Sequence, residues 1–445
     1  MQRTIETFSR RSFLGKSTAV GAGASAFMII KPELVRGAGK EMLKAGLVGC
    51  GGRGTGAVMD LLTADPNVQL VAMADIFEDR LERSLAELRK AKDPKVAERI
   101  KVEPDRHFVG FDAYQKVVAS DVDIVMLCTP PGYRPIHFEA AIAAKKHVFC
   151  EKPFGTDPVG VRRFMDAAKK SEELKLTVVS GAQRRFSRDY VETVDKIQSG
   201  AIGEIAAAYA YWVGSPVLQF MSPGWPGPKG KRDSKWSDMV FQNRSWYSFV
   251  WLCGDQVVEQ HLHNIDVCNW VMGAHPVKVF ASGGVAWRPR EAEYGNIYDH
   301  ITAEFEYSNG VKMMSHCRQY PQGSYQNVSE LVVGTKGRSN CHDLGAGPGQ
   351  DVRRAFRDPM ENPYVREHVA LVNSIRGDGP YVNHAMAVAE STMTCIMARE
   401  AAYSGQLITW DQAMASKLDL MPKAFGYDAQ VEATPLPVPG QYKFM

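Results

Sequence analysis

Long apolar runs are missing from this chain. Beyond the first 38 residues nothing reaches the roughly 18 consecutive apolar residues a membrane-spanning helix requires, so nothing there should cross a bilayer. Paired cysteines are missing too. The eight present, Cys50, Cys128, Cys150, Cys253, Cys268, Cys317, Cys341 and Cys395, include no two close enough for a C-x-x-C unit, which removes zinc-ribbon and dithiol chemistry. Net charge is scarce: 53 Lys and Arg against 50 Asp and Glu leave +3. Even that excess sits in the first 38 residues (Arg3, Arg10, Arg11, Lys16, Lys31 and Arg36 against Glu6 and Glu33), and the remainder is near neutral. Nucleic acid and anionic membrane are therefore not expected partners. At 45% apolar and 23% charged, the 445 residues exclude collagen, coiled coil and overall disorder, and their number suggests roughly two to four domains.

The basic N-terminus has the layout of an export address. Ser9-Arg10-Arg11-Ser12-Phe13-Leu14 precedes a small, apolar stretch from Ser17 to Ile30, too short to span a membrane comfortably. The Arg10–Arg11 pair before Phe13-Leu14 resembles the twin-arginine signal, with Gly15 and then Lys16 where that motif often has Lys at once. Residues 1–38 are expected to be this segment and the mature protein periplasmic or extracellular. A disordered tail and a retained anchor are the alternatives.

From about residue 41 to 183, short apolar runs (Leu43–Val48, Gln69–Ala74, Asp123–Cys128, His147–Cys150, Thr177–Ser180) alternate with amphipathic stretches such as Asp79–Ala91, Pro135–Lys145 and Pro158–Lys170. Strands alternating with helices predict βαβ units in a doubly wound parallel sheet, the Rossmann arrangement of an α/β fold. Over 184–445 the texture changes. Ile205–Val213, Val277–Ala286, Ile301–Tyr307, Gly310–Cys317 and Ser329–Gly334 lack long helices between them, predicting an open, mainly antiparallel sheet, followed by helices Tyr364–Arg376 and Ala385–Ser404. Met221–Lys235 and Gly345–Asp351 read as Gly- or Pro-rich loops.

Three stretches carry chemistry. Gly49-Cys50-Gly51-Gly52-Arg53-Gly54 closes the first strand and opens a helix, fitting G-x-G-x-x-G. Such glycines let the backbone turn tightly and offer free N–H groups at a helix N-terminus to a pyrophosphate. Asp75 ends the second strand, where a carboxylate accepts ribose hydroxyls and repels a 2′-phosphate, so NAD is favoured over NADP. At later strand ends stand Thr129-Pro130 and Glu151-Lys152-Pro153, where an open parallel sheet binds ligands. Lastly, Asp255, Glu259, His263, Asp266 and Trp270 recur at spacings of 4, 4, 3 and 4 and, read as one helix, share a face. An imidazole between Glu259 and Asp266 would be oriented and kept basic, suiting proton exchange with a hydroxyl. His261 would point about 200° away from His263 on that helix, so no metal site is expected.

With these motifs in order, together with Gly181-Ala182-Gln183-Arg184-Arg185-Phe186, the chain resembles the Gfo/Idh/MocA oxidoreductase family over roughly residues 43–410. The resemblance implies a Rossmann domain, a C-terminal α/β domain whose open sheet carries a dimer or tetramer interface, and a sugar, inositol or related polyol as substrate. It implies that Lys152 is the catalytic lysine and His263 the catalytic histidine, with Glu259 where the family often has Asp. Gln183 and Arg185 match positions near substrate or cofactor, Asp266 lies beside the histidine, and Trp246 is a candidate for stacking on a sugar face. An exported enzyme of this kind has no evident pool to reoxidise NADH, so a tightly held NAD regenerated on the protein is expected. The alternatives are a redox-neutral glycoside hydrolase with bound NAD, and a non-catalytic sugar- or nucleotide-binding module.

Overall fold

The structure, a computed structural model, describes residues 41–217, 232–291, 294–321, 323–345 and 358–444. The expected export segment, Trp225 and most of both Gly- or Pro-rich loops lie outside the described residues.

Six strands, β1 (Leu43–Val48), β2 (Val68–Asp75), β3 (His107–Val109), β4 (Ile124–Leu127), β5 (His147–Cys150) and β6 (Val178–Ser180), form the first sheet in the order β3-β2-β1-β4-β5-β6. All its pairings are parallel. Parallel pairing requires crossovers, supplied by α1 (Gly52–Ala64), α2 (Glu78–Leu88), α3 (Pro94–Ala97), α4 (Ala113–Ala119), α5 (Arg134–Ala143) and α6 (Pro158–Glu173). The strands are buried on both faces, which is why β4 reads as the unbroken run Ile-Val-Met-Leu. The helices show why they form and where they start. In α2, Leu81, Leu85 and Leu88 line the buried stripe. For α6, the Asp157 side chain accepts from the Gly160 N–H at 2.7 Å, with Pro158 in the first turn. Register then does the positioning. Val48 pairs with Ala74 and with Leu127, Leu127 with Cys150, and Cys150 with Ser180. The residues that follow, Gly49, Asp75, Cys128, Glu151 and Gly181, therefore leave the sheet in a row at one edge.

The second sheet has seven strands: β7 (Ile205–Gly214), β8 (Lys278–Gly284), β9 (His300–Glu306), β10 (Lys312–Gln319), β11 (Asn327–Gly334), β12 (Gly337–Ser339) and β13 (Ile408–Thr409). Their order is β12-β11-β7-β10-β9-β8-β13, antiparallel except for β7 with β10. This half of the chain also holds α7 (Arg188–Gln198), α8 (Asp238–Arg244), α9 (Val250–Cys253), α10 (Gln256–Glu259), α11 (Leu262–Met272), α12 (Pro363–Arg376), α13 (Ala385–Ser404) and α14 (Trp410–Ala415). Helices α10, α11 and α13 pack on the sheet. Its other face shows Tyr209, Tyr211, Met314, His316 and the half-exposed Phe280. Two features depart from the reading of the sequence. The short strands β3, β12 and β13 correspond to none of the expected strand runs. Helix α12, although far along the chain, returns to the first sheet and packs on α1 and β6.

Candidate active site

Where the first sheet reverses order, between β1 and β4, the strand ends open into a cavity of about 1380 Å³. Gly49 has φ +99°, and a Cβ there would lie 2.7 Å from Cys128 C and Thr129 N. A Cβ on Gly54 would lie 2.0 Å from the Gly49 carbonyl oxygen. A Cβ on Gly51 or Gly52 would meet nothing within 4 Å. The loop is thus closed on its protein side and open on its cavity side. Helix α1 carries no acidic residue in its first turn and no side-chain cap. This cradle fits the pyrophosphate of a dinucleotide. Asp75 lines the same cavity, fixed by the Cys50 N–H to Oδ2 (2.7 Å) and the Phe77 N–H to Oδ1 (2.9 Å). Burial pushes its carboxyl up, against the pull of those two N–H groups.

Thr129 and Pro130 also line the cavity, the Thr129 hydroxyl lying 3.3 Å from His137 Nδ1. Arg53 is placed there too, but its guanidinium serves the protein. It bonds Glu151, Glu367 (2.8 Å) and Asp60 (3.2 Å) and lies over the Tyr364 ring. Glu151 passes the constraint on, because its other oxygen accepts from the Lys152 N–H at 3.2 Å. Gly181 permits this, since a Cβ there would sit 2.5 Å from the Glu151 carboxylate.

Lys152 and His263 line one cavity. The Lys152 ammonium donates to the Glu259 carbonyl oxygen (2.6 Å) and to Glu259 Oε1 (3.2 Å), and the Lys152–Pro153 bond is cis. Burial pushes the Glu259 carboxyl up, opposed by Lys152 and Arg134. Glu259 Oε2 is buried and unpartnered among the described residues. His263 Nδ1 is likewise buried without a partner, while the ring stacks on Trp212 with centroids 5.7 Å apart and planes 23° off parallel. Burial first, then Lys152, Arg184 and Arg53, holds this imidazole well below its ordinary value. Gln183 and Trp246 also line the cavity, Gln183 with an unpartnered buried Oε1 and Trp246 edge-on to Tyr247.

The single helical face over 255–270 is corrected. Asp255 has φ +79° and caps α10. Between α10 and α11 the His261 N–H bonds back five residues to the Gln256 carbonyl, a bulge that turns the following helix. Asp255 is fully buried and accepts from the Tyr298 N–H and the Tyr403 hydroxyl. Asp266 and Arg185 are also corrected. They form a two-pronged pair, 2.8 Å on each side, with the Ser391 hydroxyl on Asp266, and neither lines the cavity. Leaving either charge buried alone would cost about 3–5 kcal/mol, so the pair is structural and Asp266 does not orient the imidazole. His261 is buried with Nε2 2.7 Å from the Ser315 hydroxyl. No group of three or more potential ligands could hold a metal among the described residues.

Sequence reading missed Trp212, Tyr133, Asn243 and Gln260, which also line the cavity. For Trp212 a signal existed: Ala208, Ala210 and Trp212 alternate along β7, so all three point to one face.

Residues 43–179 match the model of the Gfo/Idh/MocA oxidoreductase family with an NAD-binding Rossmann fold, and residues 190–339 match that of the Gfo/Idh/MocA C-terminal domain. The chain is similar to the myo-inositol 2-dehydrogenase of Thermotoga maritima, 25% identical over 299 residues that span 66% of this chain and 74% of the relative. It is also similar to a glycosyl hydrolase family 109 protein of Saccharopolyspora erythraea, 25% identical over 223 residues and 46% of each chain. Among solved structures, scyllo-inositol dehydrogenase from Lactobacillus casei with bound NAD(H) and scyllo-inositol superposes with TM-score 0.60. It is 20% identical and covers 83% of this chain and 99% of its own, a likeness of fold.

Proposed function

Because the chain belongs to the Gfo/Idh/MocA family of NAD-binding oxidoreductases, we propose that it oxidises a hydroxyl carbon of an inositol, sugar or related polyol. The carrying observation is that Lys152 and His263 line the same cavity as the glycine cradle and Asp75. Bound NAD supplies the hydride acceptor. The Lys152 ammonium has three N–H bonds and gives two contacts to Glu259, leaving one donor for the substrate oxygen. His263, uncharged at neutral pH, receives the hydroxyl proton, and Lys152 stabilises negative charge developing on that oxygen. Trp246, Trp212 and Tyr247 offer aromatic surface to the ring. Asp75 favours NAD over NADP, and the cofactor stays bound through turnover. The test is appearance of the reduced-nicotinamide band with a panel of inositols and sugars. Lys152→Ala should lower turnover about 100-fold or more while NAD still binds, and unchanged turnover removes Lys152 from the chemistry.

A second reading has one observation in its favour. The free Oε2 of Glu259 gives the cavity another base beside His263, as a hydrolase working by transient oxidation, elimination, hydration and reduction requires. The glycosyl hydrolase relative is consistent with it. Release of nitrophenol from a nitrophenyl glycoside without added NAD would favour this reading, and NADH accumulation would favour the first.

The Arg10–Arg11 pair supports twin-arginine export to the periplasm or beyond. Replacing both by Lys should hold the protein in the cytoplasm on cell fractionation, and undiminished export sinks the idea. The open aromatic face of the second sheet supports a homo-oligomer.

A further inference from the structure

Residues 416–444 follow the last helix without forming another, and they lie beyond both stretches matched by the family. The segment is tied at both ends. Near its start the Leu420 N–H donates to Asp157 Oδ2 at 3.1 Å, and near its finish the Tyr442 hydroxyl donates to Glu400 Oε2 at 2.7 Å. Between these anchors it runs along α8. Ser237 donates to the Tyr427 carbonyl, the Met239 N–H to the Ala429 carbonyl (3.2 Å) and Gln242 Nε2 to the Val431 carbonyl (2.5 Å).

Both members of this layer then reach the first sheet beside Asp75. The Tyr427 hydroxyl donates to the Ile76 carbonyl at 2.5 Å, and Phe425 and Tyr427 pack on Phe111 with ring centroids 6.0 and 5.3 Å away. From α8, Arg244 grips Asp79 with two bonds (2.7 and 3.2 Å) and lies over the Phe77 ring at 4.0 Å. Phe77 and Phe111 line the cavity at the end where Asp75 would meet an adenosine ribose, whereas Asp79, Arg244 and Tyr427 do not line it. They hold its wall from behind.

We infer that the 419–434 segment and α8 form a clasp over the adenosine end of the cavity, which sets how long the dinucleotide stays bound between turnovers. This rests on the proposed cofactor reading and deepens it. Helix α8 is seated by the buried Tyr133 hydroxyl, which donates to Asn243 Oδ1 at 2.8 Å, whereas the outer contacts, Arg244 with Asp79 and Tyr427 (43% exposed) with Ile76, are partly exposed and can part without unfolding.

The test uses the full chain loaded with NADH, chased with excess NAD, with release followed by loss of nicotinamide fluorescence. Arg244→Ala should speed release about tenfold, the combined worth of a partly exposed ion pair and a cation–π contact. Tyr427→Phe, which keeps the ring packing, should speed it about fivefold for one lost hydrogen bond. The exchanged pair Asp79→Arg with Arg244→Asp should recover much of the slow release. Release from Arg244→Ala and Tyr427→Phe at the wild-type rate overturns the clasp. A wild type that binds no NADH overturns both the clasp and the cofactor reading. Because release is read without substrate, a protein that behaves as expected here yet oxidises no polyol supports the clasp and sinks only the oxidoreductase reading.

Discussion

The ring of Trp212 stacks on the His263 imidazole, whose Nδ1 has no hydrogen-bond partner among the described residues. Stacking and burial have an electrostatic effect as well as a steric one. They withhold water from the charged form, so the imidazole takes a proton only at a pH below its ordinary value of about 6.5. The acid limb of kcat/KM should therefore lie below that value. Trp212→Ala admits water and raises the pH at which the base is lost, moving the limb up toward about 6.5, while Trp212→Phe keeps most of the shift. A pH profile of kcat/KM that is identical in wild type and Trp212→Ala would remove the indole from this role. The same reasoning separates Glu259 from Asp266. Both are carboxylates near the histidine in sequence, yet the first meets Lys152 and the second is consumed by Arg185.

The glycine turn between β1 and α1 makes two kinds of demand, and substitution should tell them apart. Gly54→Ala forces a Cβ against the Gly49 carbonyl, so the turn itself must move and thermal stability should fall. Gly52→Ala meets no protein atom, so stability should hold or rise by about 0.4–1 kcal/mol, while NAD affinity drops because the methyl enters the cradle. Melting curves and NADH titrations on both variants check this, and a Gly52→Ala protein that binds NAD normally would place the pyrophosphate elsewhere. This turn was legible from sequence because its requirements are local: tight φ, close approach and a free helix end. The longer strands of both sheets were legible from their apolar runs, the short β3, β12 and β13 were not, and α13 matched its expected ends at Ala385 and Ser404. The break between α10 and α11 was not. It depends on Asp255 being held by partners 43 and 148 residues away, and the fate of Asp266 depends on an arginine 81 residues earlier. Helical periodicity cannot register such partners.

Across the molecule, the two sheets divide the work. The first presents its strand ends to the cavity. The second sends Trp212 into it from one face and leaves Tyr209, Tyr211 and Phe280 on the other. An exposed Phe280 beside the half-buried Tyr209 and Tyr211 on a broad sheet face is a liability unless another copy covers it. Sedimentation should give a multiple of the chain mass, and Tyr211→Glu with Phe280→Glu should shift it toward the single chain; a wild-type monomer would contradict this use of the face. The hydroxyl of Tyr427 on the Ile76 carbonyl has a consequence in time. The two residues lie 351 positions apart, which at about 5–20 residues per second leaves an interval of roughly 20–70 s during synthesis. Throughout it the nascent nucleotide fold stands without the Tyr427 side of the proposed clasp, α8 having emerged earlier, so the growing polypeptide would offer its ligand a wider entrance than the finished one.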